Sequence, residues 1–152
     1  MKGNIMNVTI EALDSSHLES CAEILCAVYN NELWQCRWSA DTAQAYLSDF
    51  YNSEKFVGFV IEGNGEVLGA VFAREKIWWN NSELFIEEMF VKPEYQGKGY
   101  GSRMIEAAEK YVKDRGLAGF TLSTNKFSLA PDFYKKNGFS VSEHVIYMYK
   151  EI

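Results

Sequence analysis

Cysteine is scarce in this chain: Cys21, Cys26 and Cys36 are the three among 152 residues. An odd count with no CxxC spacing argues against a closed disulfide framework and fits a reducing cytoplasm. Histidine is scarcer, and His17 and His144 lack metal-like spacing, so no metal site is expected. Positive charge is in deficit, with 15 Lys and Arg against 21 Asp and Glu and a net charge of −6. That balance argues against a nucleic-acid-binding surface. It suits either a cationic partner or simple solubility. No segment approaches the apolar length of a membrane helix, and the opening MKGNIMNVTI lacks the apolar core of a signal peptide. No linker, repeat or low-complexity stretch divides the chain, so residues 1–152 read as one domain with a substantial core. Aromatic residues, by contrast, are plentiful at 15%.

Residue patterning predicts the elements. Val8 to Leu13 alternates as a strand. Asp14, Ser15 or Ser16 caps a helix with apolar Leu18, Ala22, Leu25 and Tyr29. Trp34 to Trp38 interrupts before a second helix begins at Ser39 or Asp41 and runs through Ala45, Tyr46 and Phe50. Strands follow over Phe56 to Ile61, Val67 to about Ile77, and Leu84 to Val91, joined by turns at Gly63-Asn64-Gly65 and Asn80-Asn81-Ser82. A helix from about Ser102 to Arg115 carries Met104, Ile105, Ala108, Tyr111 and Val112 on one stripe and stops at Gly116. Leu117 to Ser123 is a strand, Pro131 opens a short helix, and Phe139 to Val141 with Val145 to Tyr149 read as a closing hairpin around Ser142 and Glu143.

The densest signal is Val91 through Ser102, VKPEYQGKGYGS. It sets Gln96, Gly97, Gly99 and Gly101 between an apolar strand and an amphipathic helix. Bare backbone at a helix N-terminus, where N–H groups lack partners and carry partial positive charge, can grip a phosphate chain. A Rossmann fingerprint needs a third glycine where Ser102 or Met104 stands, and a P-loop needs Ser or Thr where Gly99 follows Lys98. What survives is Gln-x-x-Gly-x-Gly, preceded by Val91 and Pro93.

This segment resembles the acyl-CoA-binding motif of the GNAT superfamily of N-acetyltransferases. Phe133, Tyr134, Lys135, Gly138 and Phe139 resemble that family's downstream Phe-Tyr segment. The likeness covers Phe85 to Phe139 closely and the rest in its order of elements, β-αα-βββ-α-β-α-ββ. It implies an α/β fold with a mixed sheet, splayed after the fourth strand, with helices on both faces. It also implies acetyl-CoA as co-substrate, no metal, an amine acceptor, and frequent dimers. The expected acetyl-CoA contacts are Met89, Phe90, Val91, Gln96, Gly97, Lys98, Gly99, Tyr100, Gly101, Ser102 and Asn125. Asn125 departs from the family pattern, because Phe127 stands where many members carry asparagine.

Acetyl transfer to an amine needs a proton acceptor, a donor to the carbonyl oxygen and a donor to the departing thiolate. The resemblance assigns the last role to Tyr134; the alternative is a packed tyrosine. The carbonyl donor is expected to be a strand amide near Phe90 or Val91. Glu87 and Glu88 interrupt an apolar strand, where an unpaired carboxylate is costly. They look like the acidic pair of GNATs that act on polyamines, with Glu87 as base and Glu88 as the substrate's carboxylate. Neighbouring strand residues point to opposite faces, so both reach one pocket only across a bulge. By strand parity Glu87 shares a face with Phe85 and Met89. The alternative is that one is exposed or ion-paired. Trp34, Trp38, Trp78 and Trp79 are candidate walls for a cation site, although core packing explains them nearly as well. Cys36, between two tryptophans, reads as a reactive thiol or a small apolar residue. The expected activity is direct acetylation of a polyamine or aminoglycoside. Rivals are acetylation of a protein amine and a non-catalytic acyl-CoA sensor.

Overall fold

A computed structural model describes residues 7–152. Strand β1 (Val8–Ala12) leads through a 3-10 turn, capped by Asp14, into α1 (Leu18–Tyr29). Helix α2 (Ala40–Tyr51) starts at a reciprocal cap in which the Thr42 N–H donates to Ser39 Oγ at 3.0 Å and the Ser39 N–H to Thr42 Oγ1 at 2.9 Å. Strands β2 (Phe56–Gly63), β3 (Glu66–Ile77) and β4 (Ser82–Val91) follow as an antiparallel meander, then α3 (Tyr100–Arg115), β5 (Phe120–Leu122) and α4 (Ala130–Lys136). The sheet order is β1-β2-β3-β4-β5, and among the described residues only the β4–β5 pair is parallel.

Alternation along the central strands sends side chains to two cores. Val60, Ala70, Phe72 and Phe90 pack under α1 and α2. Ile61, Val71, Ala73, Leu84 and Ile86 pack under α3 through Met104, Ile105, Ala108 and Val112. The stripe read from the sequence is therefore the face α3 buries.

The β4–β5 ladder covers only Leu84–Ile86 against Phe120–Leu122. Among the described residues, no strand lies beside Glu87 to Val91 on the β5 side of β4, which is the splay. Two expectations need correction. Strand β5 is three residues long rather than Leu117 to Ser123. Phe139 to Val141 and Val145 to Tyr149 form no hairpin: residues 139–152 contain no strand. They have strand-forming side chains, but among the described residues their backbone from residue 140 onward pairs with no strand.

Candidate active site

The splay opens beside a β-bulge. Register along β3–β4 shifts between Phe72 and Ala73: Phe72 faces Glu88, Ala73 faces Ile86, and Glu87 is the extra residue. The slip changes which face each side chain takes. Ile86 belongs to the α3 core, whereas Phe90, at the same parity, belongs to the opposite core. Met89 accordingly packs on the α3 side, so Glu87 does not share a face with both Phe85 and Met89 as parity predicts. The bulge meets the condition for two adjacent carboxylates to line one cleft, and both do.

That cleft, of about 170 Å³, is walled by Tyr29, Trp34, Cys36 and Trp38 on one side and by Leu122, Ser123, Thr124 and Tyr134 on the other. Its two carboxylates differ. Glu87 Oε1 accepts from Arg74 Nε at 2.8 Å in an ion pair. Glu88 Oε1 accepts from the Tyr46 hydroxyl at 2.6 Å and has no cationic partner among the described residues. Burial pushes the Glu88 carboxyl above the ordinary carboxylate range; hydrogen bonds from Tyr46 and Tyr29 oppose the rise and the charge of Glu87 adds to it. Tyr29 also donates to the Met89 carbonyl at 3.3 Å. Burial and the Glu88 charge raise both the Tyr29 and Tyr46 hydroxyls, so they remain donors.

Tyr134 projects from α4, its ring in edge contact with Phe133 and Phe139 at 5.2 Å each. Burial, then the nearby Glu88 charge, pushes its hydroxyl up to about 12. It is protonated throughout the neutral range and therefore stands as a hydrogen-bond and proton donor in the cleft.

The edge of β4 supplies backbone donors. The Lys92 N–H bonds to the Leu68 carbonyl at 2.7 Å. With Ala70 opposite Phe90 and Gly69 opposite Val91, alternation of the ladder turns the Phe90 amide to β3 and the Met89 and Val91 amides into the splay. Of the two expected oxygen donors, Val91 thus faces the gap. The Phe90 side chain is buried in the core.

Beyond Val91, a 3-10 turn at Pro93–Tyr95 leads into the glycine loop, which Gln96 Nε2 ties back to the Val91 carbonyl at 3.0 Å. Gly97 and Gly99 have φ of +74° and +86°, where a side chain is strained. Gly99 is the N-cap of α3 without a side-chain cap. Among the described residues, the N–H groups from Gly97 to Ser102 find no backbone acceptor. Gly101 has a different reason: a Cβ there would lie 2.9 Å from the Phe133 ring. The two sequence motifs therefore interlock, the glycine letting α4 close on α3. Lys98 lies over the Tyr95 ring at 5.5 Å, and Tyr100 packs on the same ring. Asn125 Oδ1 accepts from the Phe127 N–H at 2.9 Å, leaving the Nδ2 amide as the side chain's donor.

Trp34 and Trp38 stand at the cleft as expected, and Asn30 clamps the Trp38 backbone through bonds of 2.7 and 2.8 Å. Trp78 and Trp79 do not. They sit in the exposed β3–β4 turn, 56% and 86% accessible, with Lys76 over Trp78. In the sequence Tyr29 and Tyr46 occupy apolar helix positions, and nothing local marks Arg74. The signal was available only jointly: phenols on two helices facing a strand that carries an unpaired carboxylate.

A family model described as acetyltransferase (GNAT) domain matches residues 54–141. Spermidine N(1)-acetyltransferase of Thermoplasma acidophilum is 27% identical over 91% of each chain. Thialysine N-epsilon-acetyltransferase of Sus scrofa is 34% identical over 40% of this chain and 36% of its own length. Among solved structures, aminoglycoside N-acetyltransferase AAC(6')-Iy in complex with CoA superposes with a TM-score of 0.77 at 18% identity, covering 100% of both chains. The metagenomic aminoglycoside acetyltransferase meta-AAC0020 in complex with sisomicin gives 0.74 at 18%, covering 95% of this chain and 96% of that one. At such identities the structural likeness shows the fold, and the family match goes further: this chain belongs to the GNAT acetyltransferase family.

Proposed function

We propose that the protein transfers the acetyl group of acetyl-CoA directly to a primary amine of a small cationic molecule, a polyamine above all. The observation that carries this reading is one cleft holding a carboxylate with a raised pKa and a protonated phenol beside an open strand edge. The fit to acetyl-CoA rests on the N–H groups of Gly97 to Ser102, suited to a pyrophosphate, and on the free edge of β4, suited to an extended arm. Bound there, acetyl-CoA supplies the activated thioester.

The chain's residues supply the rest. Glu88, rather than Glu87, accepts the ammonium proton, since Arg74 already occupies Glu87. The Val91 amide donates to the carbonyl oxygen as charge develops on it. Tyr134 gives its proton to the departing sulfur. Because Arg74 balances Glu87, Glu88 is the carboxylate left to attract a cation, and the Trp34 and Trp38 rings beside it suit an alkylammonium. The spermidine-named relative, similar along nearly its whole length, favours polyamines over aminoglycosides. Thiol release measured with spermidine, a monoamine of similar length, an aminoglycoside and an amino acid tests the assignment. Spermidine should give the highest kcat/KM, because a neutral or acidic acceptor leaves the half-buried carboxylate uncompensated. Preference for the amino acid would overturn the cationic pocket.

The loop has its own test. Gly99→Val forces a β-branched residue to φ near +86° and should abolish the rise in Tm that acetyl-CoA gives the parent protein. Lys98→Ala should reduce that rise only modestly. If Gly99→Val keeps the full rise, backbone access at this loop is not what binds the ligand.

A further inference from the structure

The Tyr29 hydroxyl stands where three parts of the cleft meet. It donates to the Met89 carbonyl at 3.3 Å. Its ring meets Trp34 edge-on, with centroids 4.9 Å apart. The Glu88 carboxylate, in the same cleft, is also within its reach. A phenol has one proton, so Tyr29 serves one of these two acceptors at a time.

The Met89 carbonyl belongs to the open edge. A Cβ on Gly69 would lie 2.6 Å from the Phe90 oxygen, so Phe90 turns its carbonyl to β3. Alternation turns the Met89 carbonyl the other way, into the splay, where no described strand claims it. An extended ligand arm that adds to a strand edge takes its bonds from such groups. At 3.3 Å the Tyr29 bond is long beside the usual O–H···O range of about 2.5–3.0 Å, so it holds that oxygen weakly. A bond to an ionised carboxylate is roughly twice as strong as one between neutral groups.

We propose that Tyr29 is a positioning residue that reports occupancy of the β4 edge to Glu88: its proton rests on the Met89 carbonyl while the edge is empty and turns to Glu88 when acetyl-CoA fills it. This rests on the acetyl-transfer reading above. Glu88 would then be held as the charged, proton-accepting form only when the acetyl donor is in place. The other groups facing Glu88 do not make this link. Tyr46 of α2 bonds Glu88 Oε1, Glu87 is paired with Arg74 of β3, and Tyr134 of α4 and Cys36 of the α1–α2 connection line the cleft. None of the four hydrogen-bonds to the Met89 carbonyl, and the β5 wall presents Leu122, Ser123 and Thr124, which carry no charge.

The test reads protons rather than turnover. Acetyl-CoA is titrated calorimetrically into the full chain near the acid limb of Glu88, in buffers of differing ionisation enthalpy, which counts the protons released on binding. A new hydrogen bond to the carboxylate favours its charged form. The parent protein should therefore release more protons per acetyl-CoA than Tyr29→Phe, which keeps the ring against Trp34 and loses only the hydroxyl. In a Glu88→Gln background the same substitution should change nothing, which sets aside protons from the ligand's own phosphates. Turnover should agree. At saturating acetyl-CoA, Tyr29→Phe should lower kcat/KM for spermidine about tenfold on the acid side, the worth of one hydrogen bond to a charged group, and leave the plateau above it unchanged. Placing 3-fluorotyrosine at Tyr29, a stronger donor of nearly the same shape, should raise proton release above the parent's, and it decides the matter should Tyr29→Phe fail to fold. Equal release with and without the hydroxyl, or no rise with the fluorinated ring, overturns the proposal. So does a difference that persists in Glu88→Gln. A parent protein whose Tm acetyl-CoA does not raise overturns the acetyl-transfer reading itself, and this inference with it.

Discussion

Tyr134→Phe is expected to lower kcat by about 10²- to 10⁴-fold, the range for a positioned general acid, with acetyl-CoA affinity nearly unchanged. Phenylalanine keeps the ring contacts with Phe133 and Phe139, so α4 stays seated on α3 and only the hydroxyl is lost. With the hydroxyl pushed up to about 12, the donor is protonated at every working pH, and the deficit should be the same from mildly acidic to mildly basic solution. Single-turnover thiol release is the proper readout, because it separates chemistry from product release. An unchanged single-turnover rate would make Tyr134 a packing residue.

Glu88→Gln is expected to cost a similar factor of about 10² to 10⁴ near neutrality, with a distinct pH signature. The parent enzyme should lose activity as pH falls through the Glu88 pKa, which burial holds above the ordinary carboxylate value, because the protonated acid cannot accept a proton. The variant has no such limb. Its residual rate should climb with pH as the amine, with an unperturbed pKa of roughly 10, loses its proton unaided, so the deficit narrows in basic solution. Tyr46→Phe removes a hydrogen bond that lowers the Glu88 pKa and should move the acid limb of the enzyme to higher pH. Glu87→Gln, which breaks the pair with Arg74, should change KM more than kcat. If the acid limb persists in Glu88→Gln and disappears in Glu87→Gln, the two carboxylates have the opposite roles.

What was legible in the sequence was what backbone geometry demands locally. Gly97 and Gly99 stand where φ is positive, and Gly101 where Phe133 leaves no room for a Cβ. Those constraints are met by one residue type at fixed spacing, so they survive as a motif. Helix caps such as Ser39 with Thr42 are legible for the same reason. The bulge at Glu87 was not, since a period of two cannot reveal an inserted residue; it could only be named as a requirement. Parity past that point failed with it, as Met89 shows. The polar roles of Tyr29 and Tyr46 were hidden because a phenol at a helical apolar position looks the same whether its hydroxyl faces water or Glu88. Trp78 and Trp79 misled because strand ends near a splay and strand ends at a hairpin tip have the same composition. Val145 to Tyr149 has the composition of a strand, but composition does not supply the ladder a strand needs, and residues 139–152 contain none.

Direct transfer from acetyl-CoA to a cationic primary amine predicts an acetylated amine and an unmodified protein. Incubating the protein with spermidine and acetyl-CoA isotopically labelled in the acetyl group, followed by mass spectrometry of both amine and protein, tests it most directly. The label should appear on a primary amino nitrogen of spermidine, with none held on Cys36, the thiol that lines the same cleft. Labelled Cys36 that passes its acetyl group to amine would contradict direct transfer, and a protein that binds acetyl-CoA yet labels no amine would contradict the enzymatic reading itself.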